Sequence, residues 1–358
     1  MDGSSMQAIT TVPGLGLDHP DTFRPMELPR PEPGPRDLRV RVEAVGINPI
    51  DTKLRQGPVE RGADGEPRPR VLGWDGAGIV EAVGEAVQRF RVGDAVMFDG
   101  DITRPGCCAE AVLVDERIVG PKPAGLSMAE AAALPLPGLT AWEALFEQLG
   151  FDPGGADAGC RLLVINGAGG VGSLAIPLAK QAGLEVIATA SRPASQAWVR
   201  QLGADAVLDH SQPLPPQLAA LGIPAVDAIA NFHATEAHWE AMAELIRPRG
   251  SLVALVSSRT PLDLNVLKAK SVRFCWEFVF TRPQFRTHDM AEQGRILEAL
   301  AARVEQGALT SPLRTCLEPI GAETLCRAHA LLEEGHNIGR LVLQGWPDWG
   351  LSSPDSPG

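Results

Sequence analysis

The sequence predicts a two-domain α/β protein in which an antiparallel β domain precedes a doubly wound parallel sheet. Three observations carry this. From about Gln7 to Val119, short runs alternate apolar and polar residues with Gly and Pro between them, the period-two signature of strands with one wet face. From Ser127 to about Phe280, helical patterns alternate with short, continuously apolar runs, as expected of parallel strands buried on both faces. One of those apolar runs breaks into glycines at 167, 169 and 172, spaced G-x-G-x-x-G, and a helical pattern follows. With 358 residues, 44% of them hydrophobic, the chain is long and apolar enough to fill two cores.

In chain order, Leu38 to Val45 and Gly78 to Val83 read as alternating strands of the first domain. Ser127 reads as an N-cap with Glu130 at N3, and so opens the helical half. Leu162 to Ile165 is the strand before the glycines, Ser173 to Ala182 the helix after them, and Leu184 to Ala190 the next parallel strand. Later strands are expected at Ala206 to Leu208, Val226 to Ala230, Ser251 to Val256 and Val272 to Phe280. A long helix over Met290 to Gln306 and a strand at Leu341 to Leu343 follow. The predicted domains are 1–138, 139–280 and a return segment 281–345, with a loose Pro-, Ser- and Gly-rich tail over 346–358.

Strand, glycines and helix together make the dinucleotide-binding fingerprint. Gly167 allows the tight turn, Gly169 lets backbone N–H groups near a pyrophosphate, and Gly172 permits close helix–strand packing. Ala168, Gly170 and Val171 complete a loop facing the anion from a helix N-terminus. A site for NAD places Asp or Glu about 20 residues later, on the ribose 2′-hydroxyl. Here Ser191 and Arg192 follow the second strand. A carboxylate would repel a 2′-phosphate, whereas a hydroxyl and a guanidinium bind one, so NADPH is expected; an ordinary solvated Arg is the alternative reading of Arg192.

No apolar run is long enough to span a bilayer, and no basic stretch followed by an apolar run opens the chain, so a cytoplasmic protein without membrane contact is expected. A net charge of −12 without any Lys/Arg run argues against nucleic acid as a partner. The six cysteines (107, 108, 160, 275, 316 and 326) show no C-x-x-C spacing, and no His pair has H-x-x-x-H spacing, so no metal site is expected. His233 and His238 read as structural or solvent-exposed.

The segments Gly46-Ile47-Asn48-Pro49-Ile50-Asp51-Thr52-Lys53, Leu72-Gly73-Trp74-Asp75-Gly76-Ala77-Gly78, Leu139-Thr140-Ala141-Trp142-Glu143-Ala144-Leu145 and Ile338-Gly339-Arg340-Leu341-Val342-Leu343 resemble the medium-chain dehydrogenase/reductase superfamily. Within it they look like the quinone-oxidoreductase-like branch, in the subgroup labelled zinc-type alcohol dehydrogenase-like. The resemblance covers about residues 6 to 345 and implies a GroES-like β domain, a Rossmann domain and a homodimer. Zinc-dependent members carry Cys where this chain has Asn48-Pro49, and Gly-His-Glu where it has Gly73-Trp74-Asp75. Neither Pro49 nor Trp74 can coordinate zinc, and Asp75 alone cannot hold it.

Without a Lewis acid, the acceptor must delocalise the incoming charge itself, which a quinone or α,β-unsaturated carbonyl does. Asn48 is the candidate donor to the substrate oxygen, with Asp51 and Lys53 as candidate proton suppliers; the bland reading makes Asn48-Pro49 and Asp51 a turn. Trp74, Trp276 and Phe278 are candidate walls of an aromatic pocket, or core residues. The resemblance implies further cofactor contacts at Thr140, Asn231, Phe232, Val256, Ser257 and Arg340. The chain has no tyrosine, so no phenolic proton donor exists and solvent is the expected proton source. Two other functions stay open: a zinc-dependent alcohol dehydrogenase, and an NADPH-binding protein without turnover, as in crystallin-like relatives.

Overall fold

The computed structural model describes residues 5–59, 61–62 and 64–347. The chain folds into two compact units: Met1–Leu136 with Phe280–Glu305 and Leu313–Gly358, and Pro137–Val279 with Gln306–Pro312. The expected tail lies outside the described residues from Asp348 onward.

The first unit, where the GroES-like β domain is expected, is built on a seven-stranded sheet among the described residues. Strand Asp37–Ile47 is its spine. It pairs antiparallel along its length with Asp75–Val83 and, on its other edge, with Ala111–Asp115 near its start and Arg340–Gln344 near its end, so a late strand is stitched beside an early one. Alternation at 38–45 has the expected cause: Leu38, Val40 and Val42 are buried, while Arg39 and Arg41 point outward, Arg39 half-buried beside Glu81. Gly78 is required by close approach, because a Cβ there would lie 2.0 Å from the Arg41 carbonyl oxygen on the paired strand. One pairing is not antiparallel: Leu313–Leu317 runs parallel to Arg340–Gln344. The long return helix is Glu292–Glu305, shorter at its start than the periodicity predicts.

The second unit is the Rossmann domain, a six-stranded parallel sheet among the described residues. Its strand order is Ala206–Leu208, Glu185–Thr189, Arg161–Ile165, Val226–Asn231, Ile246–Ala254, Arg273–Trp276. The order reverses between Arg161–Ile165 and Val226–Asn231, and in such sheets that switch point, at the carboxyl ends, is where ligands bind. Strand interiors are apolar without alternation because helices cover both faces; Leu162, Leu163, Val164 and Ile165 are all buried. Trp239 anchors one face, its indole N–H donating to the Asp263 carbonyl at 3.2 Å and its ring meeting Phe274 edge-on at 5.4 Å.

Two strands differ from expectation. The strand expected to begin at Ser251 starts at Ile246, because the exposed Arg247, Pro248 and Arg249, the last with a left-handed φ of 62°, break the apolar signal. The strand expected over Val272 to Phe280 spans only Arg273–Trp276; Glu277 still donates its N–H to the Ala254 carbonyl, and the chain then turns away toward the helix Thr281–Phe285. Among the described residues no helix is long and apolar enough to cross a membrane.

Trp239→Ala is expected to destabilise this unit by about 3–5 kcal/mol through a cavity against Phe274 and Leu252. Urea unfolding measures it, and a loss under about 1 kcal/mol would show that the face repacks.

Candidate functional site

The glycine-rich loop is shaped by contacts of its own. Strand Arg161–Ile165 ends, and Asn166 takes a left-handed conformation with φ 65° that reverses the chain. A Cβ on Gly167 would lie 2.9 Å from the Ala188 Cβ on the next strand, and one on Gly172 would lie 2.5 Å from the Gly167 carbonyl oxygen. The helix Gly170–Gln181 can therefore start this close to the strand only with glycine at both positions. Gly169 is its N-cap, and Gly169, Gly170 and Val171 are partly open to solvent while Gly167, Ala168 and Gly172 are buried. A twelve-residue helix ending in accessible N–H groups is suited to a pyrophosphate.

Around the carboxyl edge of this sheet, Ser191 and Arg192 follow strand Glu185–Thr189, half-buried, with no carboxylate at the strand end. Asn231 is buried and committed to structure: its Nδ2 donates to Thr235 Oγ1 at 3.1 Å and its Oδ1 accepts from the His233 backbone N–H at 3.3 Å. Phe232 is buried and its N–H donates to the Ile165 carbonyl, tying it to the glycine loop's strand. The Val256 carbonyl accepts from Thr235 Oγ1 at 2.6 Å, and Ser257 is exposed. Thr140 is buried on the helix Pro135–Trp142. Trp276 and Phe278 are exposed, Trp276 meeting Phe274 edge-on at 5.0 Å.

Sequence reasoning missed a carboxyl pair in this unit. Glu277, at the end of the edge strand, and Glu143, in the π-helical turn Glu143–Gln148, are both buried. Gln148 Nε2 donates to Glu277 Oε2 at 3.0 Å. Burial, and then the Glu143 carboxyl beside it, push Glu277 up to about 9, so it keeps its proton at neutral pH. No spacing rule links residues 143 and 277; only the fold brings them together.

In the GroES-like unit, a second constellation forms around Asn48. Asn48 is the N-cap of the helix Pro49–Gln56: its backbone N–H donates to Asp51 Oδ2 at 2.7 Å, and its carbonyl accepts from the Asp51 N–H at 3.0 Å. Asp51 Oδ1 accepts from the Gly73 N–H at 2.9 Å, which holds the Leu72–Trp74 turn against the helix start. Asn48 Nδ2 donates to Asp75 Oδ2 at 2.9 Å, and Asn48 Oδ1 accepts from Arg340 Nη1 at 2.6 Å. Arg340 Nη2 meets Asp75 Oδ2 at 2.5 Å, and Asp75 Oδ1 accepts from the Leu136 N–H at 2.6 Å. All four side chains are buried. Burial raises Asp51 to about 7 and Asp75 to about 6, the latter against the pull of the Arg340 guanidinium and the Asn48 amide.

This geometry revises several expected roles. The Asn48 amide, read as a donor to substrate, donates to Asp75 instead. Arg340, read as a cofactor-phosphate contact, has two guanidinium nitrogens committed to Asn48 and Asp75. Trp74, read as a pocket wall, is 1% exposed, its indole N–H shared between the Asp101 and Arg104 carbonyls and its ring edge-on to Phe280, all within one core. A buried indole with a saturated N–H offers no stacking face. Asp51 serves two backbone N–H groups, and Lys53 is exposed.

Among the described residues no group of three or more His, Cys, Asp or Glu side chains could hold a metal ion. Zinc does not fit the Asn48–Trp74–Asp75 positions: they offer one anionic oxygen donor, Asp75, already bound to a guanidinium. Nearby Cys107 is a buried thiol donating to the Gly73 carbonyl at 3.0 Å, and burial pushes it well above the usual thiol range.

Two family models match the chain, the alcohol dehydrogenase GroES-like domain over residues 34–134 and the zinc-binding dehydrogenase over 170–293. A zinc-type alcohol dehydrogenase-like protein of Staphylococcus epidermidis is 38% identical over 94% of this chain and 99% of its own length. The chain belongs to the medium-chain dehydrogenase/reductase superfamily. The crystal structure titled a putative zinc-dependent alcohol dehydrogenase from Rhizobium etli matches this family member with a TM-score of 0.89 at 44% identity, covering 96% of this chain and 99% of that one. The NADPH-dependent alkenal/one oxidoreductase of Arabidopsis thaliana is 31% identical, over 88% of this chain and 74% of its own length.

Two substitutions probe the two constellations. Arg340→Met leaves Asp75 buried without its countercharge, which is expected to cost about 3–5 kcal/mol where Asp75 is ionised. A buried carboxyl with a raised folded-state value loses stability as pH rises from its unfolded value through its folded one. Removing Arg340 raises Asp75 further, so the variant's deficit should be small near about pH 5 and grow through about pH 8. Thermal melts across that range test it, and a deficit independent of pH would count against it. By the same sign, Glu277 costs stability progressively between its ordinary 4.5 and about 9. Glu277→Gln keeps the Gln148 hydrogen bond and removes the titration. The variant should therefore gain Tm over the parent as pH rises through that window; parallel Tm curves would show that the carboxyl does not titrate there.

Proposed function

We propose that this protein transfers a hydride from NADPH to a quinone or an α,β-unsaturated carbonyl without zinc. The carrying observation is the Arg340–Asp75–Asn48 network, which fills with a guanidinium and an amide the place where zinc-dependent members hold their metal. NADPH supplies the hydride when bound. The Gly167–Gly172 loop and the helix N-terminus after it suit the pyrophosphate, and Ser191 and Arg192 suit a 2′-phosphate. An acceptor that spreads its developing charge over a conjugated system needs no Lewis acid, which agrees with the alkenal/one activity named for the Arabidopsis relative. Glu277, protonated at neutral pH on the carboxyl edge of the sheet, is a proton store beside the exposed Trp276 and Phe278. Asn48, Asp51 and Arg340 act as positioning residues in this reading. The exposed edge strand Arg273–Trp276 favours a homodimer, and free thiols at the six cysteines suit a reducing, cytoplasmic setting.

The test is NADPH oxidation by EDTA-treated, metal-assayed protein with an ortho-quinone and with a linear enone, beside NADH and beside a simple alcohol with NADP⁺. The expected result is metal-free turnover favouring NADPH, with Arg192→Glu raising the KM for NADPH by about 10- to 100-fold. Turnover only after zinc is added, or only alcohol oxidation, would overturn the proposal, as would NADPH binding without turnover on either acceptor.

A further inference from the structure

Three of the chain's seven histidines gather at one place, the carboxyl edge of the parallel sheet on the side of strands Glu185–Thr189 and Ala206–Leu208. His210 lies two residues beyond the second of these strands, His233 two residues beyond Val226–Asn231, and His238 in the helix Thr235–Leu245. The His210 and His238 rings are 6.4 Å apart, centre to centre. His210 Nδ1 lies 3.0 Å from Thr189 Oγ1, and that same hydroxyl accepts from the Asn166 backbone N–H at 3.0 Å. Thr189 thereby links the imidazole to Asn166, the residue that opens the glycine-rich loop. The direction of this bond follows the tautomer: where the Thr189 hydroxyl donates to Nδ1, the neutral ring carries its proton on Nε2.

The charges around this cluster are unfavourable to its own protonation. Burial first, then His233 and Arg192, lower His210 from its ordinary value, against the opposing pull of Asp209. Burial, then His210 and His233, lower His238. The carboxylates nearest in the chain are engaged elsewhere: Asp209 accepts from the Ser211 N–H and hydroxyl, and Glu236 accepts from the Ser258 hydroxyl and the Arg259 N–H. Cationic and proton-accepting groups thus converge, in a chain of net charge −12, on a place where protonation repels itself. A dianion arriving there would reverse the sign of that interaction.

We infer that His210 and His238, with His233 and Arg192 around them, form a proton-linked site for the 2′-phosphate of NADP(H), in which phosphate binding at neutral pH draws a proton onto the imidazoles. The inference rests on the NADPH reading above and adds to it the residues and the proton. Recognition by histidine makes cofactor selection depend on pH, whereas recognition by Arg192 alone would not.

Calorimetric titration at about pH 7.5, in phosphate-free buffers of different ionisation enthalpy, tests this with 2′,5′-ADP and 5′-AMP, which differ only in the 2′-phosphate. At that pH the free phosphate is already a dianion, so net uptake reports on the protein. The expected result is uptake of about half a proton or more with 2′,5′-ADP and none with 5′-AMP. His210→Asn with His238→Gln should abolish the uptake and weaken 2′,5′-ADP by about tenfold while leaving 5′-AMP unchanged. His233→Ala, at an exposed position, should reduce the uptake if the paired variant proves unstable. Tighter binding of 2′,5′-ADP without uptake, unaltered in the variants, would overturn the histidine site and leave the NADPH reading standing on Arg192. Equal binding of the two nucleotides would overturn both. Equal uptake with millimolar inorganic phosphate alone would overturn the assignment to the cofactor's 2′-phosphate.

Discussion

Asp75 and Arg340 form the constraint on which the GroES-like unit depends. The carboxylate has no solvent exposure and accepts from three sources: the guanidinium, the Asn48 amide and the Leu136 backbone N–H. These partners come from three distant parts of the chain, and through them the strand Arg340–Gln344, the start of the Pro49–Gln56 helix and the end of the first long segment are fixed to one side chain. A buried ion pair contributes little net stability against an apolar alternative, but removing one partner strands the other, so its effect is to lock geometry. Gly46 shows how tight the arrangement is, since a Cβ there would lie 2.6 Å from the Ala132 carbonyl oxygen and 2.9 Å from Arg340 Nη2.

That lock also limits metal binding at these positions. Asp75, ion-paired to the Arg340 guanidinium, and the Asn48 amide, hydrogen-bonded to both, have their oxygens committed inside the protein. In the Rossmann unit the constraint is steric. Glycine at 167 and 172 lets the helix begin against the strand, with Gly169, Gly170 and Val171 of its start partly open to solvent.

The architecture was legible in the sequence wherever one residue's role depends on its near neighbours. The alternation read over 38–45 holds to Ala44, beyond which Val45 is buried as well, and the glycine spacing and the Ser127–Glu130 capping box appear as read, the last with Ser127 Oγ accepting from the Glu130 N–H at 3.2 Å. Ser191 and Arg192 sit at the strand end where the reading put them. Site roles were less legible. Asn48, Trp74 and Arg340 were each assigned a partner outside the protein, and each has its partners inside it. Polarity in a family motif does not tell whether a group faces a ligand or a buried charge.

The Glu143–Glu277 pair and the three histidines lie at the other extreme, joined by no sequence period because their residues stand on different elements. By itself, the sequence determined the element types and the position of the glycine-rich turn, since hydrophobic period and glycine stereochemistry are local properties. The tertiary structure alone decided which buried carboxyl meets a cation and which meets another carboxyl. Those encounters set charge and proton affinity, and they depend on distances through space that the order of residues does not encode locally.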